Sequence, residues 1–104
     1  MDEFQAKALR TAAPLERDLA RMVYALGLAG EAGEVADLVK KEFGHGHPVD
    51  LDKILKELGD VLYYVAVEAA EYGFFLSEVA TANVDKLRER YPDGFTPERS
   101  LNRS

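Results

Sequence analysis

The chain has 104 residues, 19 of them acidic against 13 basic, with a net charge of −6 and no cysteine. That length suits one domain with one modest core, the acidity argues against a general nucleic-acid binder, and the lack of cysteine excludes a disulfide framework or a thiolate metal site. No apolar run approaches the ~18 residues of a membrane span and the opening MDEFQAKALR has no signal-peptide core, so no membrane partner and a cytoplasmic location are the expectations.

The pattern predicts an all-α chain, read as a single domain over 1–104. Residues 2–12 read as a short first helix, interrupted by Pro14. Residues 15–43 read as a long second helix that could bend at Gly27, Gly30 and Gly33. A glycine inside a helix costs about 1 kcal/mol relative to alanine, so three of them beside Glu31 and Glu34 call for a reason. Gly44 stops that helix, GHGHPVD at 44–50 is a loop, and Asp50 is placed to cap the next helix. The third helix spans 51–72 and ends near Gly73; its stretch 61–67 is apolar nearly all round, as at the centre of a bundle. Ser77 is the candidate cap of a fourth helix reaching Tyr91, YPDGF at 91–95 is a turn, and 96–104 is expected to be a polar, mobile tail. One layer of short helices covers 61–67 poorly, which predicts an oligomer.

The acids are placed on a helical wheel at ~100° per residue. Leu28, Ala32, Val35 and Val39 share a stripe of the second helix, with Glu31 roughly 60° and Glu34 roughly 120° from its centre. Glu57 and Asp60 repeat the spacing on the third helix, again enclosing a glycine, Gly59. An isolated E-x-x-E pair is usually a solvated surface feature. Two acid pairs on the shoulders of facing antiparallel helices are another matter, because carboxylates converging on one seam require cations. With cations they form an all-oxygen site of the kind Mg²⁺ or Mn²⁺ takes. Glycines interleaved with the acids remove bulk and let a neighbouring helix or a ligand come close.

E-A-G-E at 31–34, followed after 22 residues by E-L-G-D at 57–60, resembles the E-x-x-E…E-x-x-D signature of the MazG-like all-α nucleoside triphosphate pyrophosphohydrolases. GLAGEAGEVAD, ELGDVLYYV and NVDKLRERYP at 83–92 extend the resemblance over about 20–95. It implies a four-helix α bundle working as a homodimer or homotetramer. It also implies Mg²⁺-dependent hydrolysis of a small-molecule nucleotide between its α- and β-phosphates. Glu31, Glu34, Glu57 and Asp60 would then be the metal ligands, with Asn83, Lys86, Arg90 and Tyr91 on the phosphates.

Glu34 and Glu57 are the candidate catalytic carboxylates, and the spacing does not say which takes the proton of the attacking water; Glu34 is the first choice. Lys86 and Arg90, four apart, would offset phosphate charge, or with Glu89 they are a solvated surface face. Tyr64, one turn beyond Asp60, either stacks on the base or ribose or packs in the core. Residues 9–13 could close over the pocket as a flap, with Arg10 or Thr11 reaching the ligand. His45 and His47 are read as solvated, and Glu68 and Glu71 as inter-helix or solvated acids. The expected function is therefore nucleotide-pool housecleaning. The alternatives are hydrolysis of phosphoribosyl-ATP on the same scaffold and a non-catalytic helical interaction module.

Overall fold

The computed structural model describes residues 1–102, and those residues form helices and no strand. The helices are α1 (Asp2–Thr11), α2 (Arg17–Gly44), α3 (Leu51–Glu71), α4 (Leu76–Arg90) and α5 (Pro97–Asn102). Helix α2 starts after Pro14 because the Glu16 carboxylate accepts hydrogen bonds from the Asp18 and Leu19 amides. It then runs unbroken through Gly27, Gly30 and Gly33. Asp50 caps α3 as expected, its Oδ1 accepting from the Lys53 amide at 3.1 Å. Gly73, at φ +78°, ends the α3 region in the left-handed conformation that glycine adopts without strain.

Helices α2 and α3 pack as an antiparallel hairpin. Near its start α2 reaches the end of α3, where the Arg21 guanidinium donates to the Glu71 carbonyl at 2.9 Å and lies 4.3 Å from the centre of the Tyr72 ring. The arginine thus satisfies a carbonyl that the helix end leaves open. Helix α1 lies across α3 and holds α4 in place. Buried Gln5 donates to the carbonyls of Ala66 and Phe74, each at 3.0 Å, and accepts from the Leu76 amide at 2.9 Å.

Two expectations about the ends of elements need correction. Ser77 is not the cap of α4. The Glu78 carboxylate accepts from the Phe75 amide at 2.9 Å, and the Ser77 amide and hydroxyl both donate to Asp2, at 2.8 and 2.6 Å. A carboxylate from α1 therefore satisfies the first turn of α4, which no local pattern announces. The expected tail also contains α5, which begins at Pro97, a residue whose fixed φ suits the first helical position. The remainder of the expected tail, Arg103 and Ser104, lies outside the described residues. The turn at 91–95 stands, with the Gly94 amide donating to the Tyr91 carbonyl at 3.1 Å and Gly94 at φ +88°.

The core is thin. It centres on Ala8, Ala20, Tyr24, Ala66, Val67 and Leu76, with Tyr63, Tyr64 and Val65 packed against it. Most of the large apolar residues remain exposed, among them Leu19, Met22 and Leu26 on α2 and Leu51, Leu55 and Leu58 on α3.

Candidate active site

The α2–α3 seam brings Glu31, Glu57 and Asp60 together, with one carboxylate oxygen from each lying within 4.8 Å of the others. The face of α2 turned to α3 holds Ala20, Tyr24, Leu28, Glu31, Val35 and Leu38. Glu31 is thus near the middle of that face rather than on its shoulder, while Ala32 and Val39 are exposed. The whole helix is rotated from the position that Leu28, Ala32, Val35 and Val39 suggested. Ala20 and Tyr24, buried in the core, set the rotation, and a wheel drawn on the central residues alone leaves them out.

Glu31 and Glu57 are half-buried and Asp60 is exposed. The Glu31 pKa is raised, first through hydrogen bonding with the Glu57 carboxyl, then through burial and the charges of Glu57, Asp60 and Glu34. Glu57 keeps one oxygen, Oε2, buried without a hydrogen-bond partner. A buried carboxylate oxygen with no donor is costly. Two lysines on these helices are engaged elsewhere, Lys41 with Asp37 at 2.9 Å and Lys56 with Asp52 at 3.0 Å. Three hard oxygen donors and an orphaned buried oxygen fit a divalent cation such as Mg²⁺ or Mn²⁺. Glu34 is exposed and lies outside the three-carboxylate group, where its charge still bears on Glu31.

The glycines differ from one another. A Cβ built on Gly27 would lie 2.5 Å from Tyr64 Cζ and 2.8 Å from Cδ1, far inside contact distance. At Gly30, Gly33 and Gly59 a Cβ would meet nothing within 4 Å. Close approach of the neighbouring helix thus explains Gly27, and the other three border open space. Tyr64 is half-buried and edge-on to Tyr63, their ring centres 5.1 Å apart. The Tyr63 hydroxyl lies 3.3 Å from that of Thr11. Nothing in the spacing of the glycines distinguishes Gly27 from the others; the one local sign is the large side chain of Tyr64, one turn beyond Asp60.

On α4, Asn83 and Lys86 are exposed and Arg90 is half-buried, as is Tyr91 just past its end, whose ring lies 5.5 Å from that of Phe95. At ~100° per residue Asn83 and Arg90 continue the stripe that begins with buried Leu76. The first turn of α4 is docked, with Leu76 buried and the Leu76 and Ser77 amides donating to Gln5 and Asp2, while residues 81–89 are exposed, so the later part of that stripe is open. Among the described residues neither Lys86 nor Arg90 forms an ion pair with an acid. His45 and His47 are exposed, with ring centres 6.1 Å apart. At the other end of the seam Glu68 has a buried Oε1 without a partner, and burial, then Glu71, raises its pKa against the opposing pull of Arg21.

The chain is 41% identical over 73 residues to the Gene 37 protein of Mycobacterium phage L5, an alignment covering 66% of this chain and 64% of that one. The chain thus spans less than two thirds of that relative's length. No solved structure matches significantly. The family model for the MazG nucleotide pyrophosphohydrolase domain matches residues 21–95, which include both acid pairs, the seam that joins them and all of α4. With the carboxylates converging inside that span, the chain belongs to the MazG nucleotide pyrophosphohydrolase family.

Proposed function

We propose that the protein hydrolyses nucleoside or deoxynucleoside triphosphates to the nucleoside monophosphate and pyrophosphate, using Mg²⁺ or Mn²⁺, as a cytoplasmic housecleaning enzyme of the nucleotide pool. The observation that carries this reading is the Glu31–Glu57–Asp60 group with its unpartnered Glu57 oxygen, inside the family match. Glu31, Glu57 and Asp60 would hold the cation, with Glu34 joining from the rim. A bound cation supplies charge to the triphosphate and lowers the pKa of water. Glu34, exposed beside the group, is the carboxylate best placed to take the water's proton. In the reaction the water oxygen joins the α-phosphorus, and pyrophosphate leaves with the bridging oxygen. Asn83, Lys86, Arg90 and Tyr91 would meet the phosphates, and cationic groups there would stabilise the departing pyrophosphate. Tyr64 contributes through packing, since its ring is engaged by Gly27 and Tyr63.

The protein acts as a homodimer or homotetramer in this reading. Asn83 and Lys86 stand on an open stretch of α4, and apolar side chains along α2 and α3 are uncovered. A second copy would cover the latter and bring polar groups of α4 towards a seam.

The test is a panel of canonical and modified nucleotides, with phosphoribosyl-ATP included, incubated with Mg²⁺ and resolved by chromatography. Monophosphate and pyrophosphate as products support the reading. Orthophosphate and a diphosphate would contradict it, and so would an inert protein that binds neither Mg²⁺ nor Mn²⁺ by calorimetry.

A further inference from the structure

We infer that Gly27 and Tyr64 form a spacer that sets the separation of the metal-binding carboxylates. Gly27 precedes Glu31 by four residues on α2, and Tyr64 follows Asp60 by four on α3. Residues four apart lie above one another on a helix face, one turn or about 5.4 Å along the axis. In the antiparallel hairpin the two meet one turn from the carboxylates, and there the tyrosine ring lies where a Cβ at position 27 would be. The contact is thus of ring on backbone, and it holds the two helices closer than any larger residue at 27 allows.

Tyr63 stands against the Tyr64 ring edge-on at 5.1 Å between ring centres, with an interplanar angle of 86°. Tyr63 is in turn beside Thr11 of α1, whose hydroxyl donates to the Ala8 carbonyl at 2.8 Å. A methyl group at position 27 must turn the ring against Tyr63 or move α2 away from α3. The second movement separates Glu31 from Glu57 and Asp60, whose oxygens already span up to 4.8 Å. Octahedral Mg²⁺ holds its ligands at about 2.1 Å, so its ligand oxygens must close to roughly 3 to 4 Å of one another, and a wider seam makes that closure harder. Gly27 and Tyr64 are positioning residues acting through the acids. Gly30, Gly33 and Gly59, with open space at their Cβ positions, have no such part.

The inference rests on the metal-site reading, and the experiment separates the two. Mn²⁺ binding is measured by calorimetry, and thermal melts are recorded with and without Mn²⁺. The proteins are the full-length wild type, Gly27→Ala, Tyr64→Leu and the double variant. Wild type should bind Mn²⁺, and Gly27→Ala should lose about 10- to 100-fold in affinity, the usual effect of disturbing what orients a ligand. The double variant, with no ring for the methyl to strike, should recover most of that loss. Should Gly27→Ala not fold, recovery of both folding and Mn²⁺ binding in the double variant supports the spacer. Undiminished affinity in Gly27→Ala overturns the inference, as does a double variant that remains unfolded or binds as weakly as Gly27→Ala. Absence of Mn²⁺ binding in wild type instead overturns the metal site itself.

Discussion

Glu57 concentrates the strain of the site in one side chain, because it has a buried oxygen with no donor and it raises the pKa of Glu31. Neutralising it removes repulsion in the metal-free protein and removes a hard anionic ligand from the metal-bound one. Glu57→Gln should therefore leave the fold as stable as wild type or more so without metal. It should lower activity by at least the roughly 10- to 100-fold that weaker perturbations of metal sites cause. Mg²⁺ should raise the wild-type melting temperature, since it binds only the folded arrangement, and that rise should shrink in the variant. An ordinary structural acid would show the reverse: lower stability and an unchanged response to Mg²⁺. Melts with and without Mg²⁺, beside an activity assay, distinguish the two.

The helices are held at their ends by groups from elsewhere in the chain. Asp50 caps α3 from the adjoining loop, and Asp50→Ala should cost about 1 kcal/mol in a denaturant melt. Asp2 reaches from α1 to the first turn of α4, and the Ser77 hydroxyl and amide hold its pKa below the ordinary aspartate range. A carboxylate depressed in the folded state stabilises the fold above its unfolded pKa, and that contribution disappears as pH falls through the lower folded value. Protection factors of α1 amides should accordingly decline as wild type is taken below about pH 4, the unfolded aspartate value. Asp2→Ala should already show low α1 protection at pH 7 and little further acid dependence. Equal protection in the two proteins at pH 7 would show that Gln5 alone docks α1.

At the scale of the whole molecule the fold is open for a chain of this length. Its radius of gyration is 16.7 Å, where a compact chain of this length has about 13 Å. Its accessible surface is 7693 Å², against about 5,800 Å² for a typical monomer of this mass. The excess, roughly 1,900 Å², exceeds the ~800 Å² per partner of a standard interface. Leu19, Met22 and Leu26 on α2 and Leu51, Leu55 and Leu58 on α3 are among the exposed apolar side chains, with Leu26 66% and Leu55 70% exposed. Light scattering at micromolar concentration should give at least twice the 11.5 kDa chain mass. Leu26→Glu together with Leu55→Glu should drive the protein towards monomer, because burying two unpaired charges at an interface is strongly unfavourable. A wild-type mass near 11.5 kDa would refute the oligomer.

Local patterning determined the helices and the pairing of acids. Apolar periodicity, the Asp50 cap and the glycines at 44, 73 and 94 mark most element boundaries within a few residues, since they act over one or two turns of chain. The i, i+3 spacing of Glu31 with Glu34 and of Glu57 with Asp60 was equally legible, together with the family those motifs imply. The tertiary structure decided which acids meet. It turned Glu31 into the seam and left Glu34 on the rim, because the rotation of α2 follows from packing at Ala20, Tyr24 and Gly27 against residues some 40 positions away in sequence. It also decided that Asp2 and Gln5 hold α4 and that one glycine of four receives a ring. Contacts between distant segments depend on side-chain volumes meeting in space, and a helical period carries information about only one helix at a time.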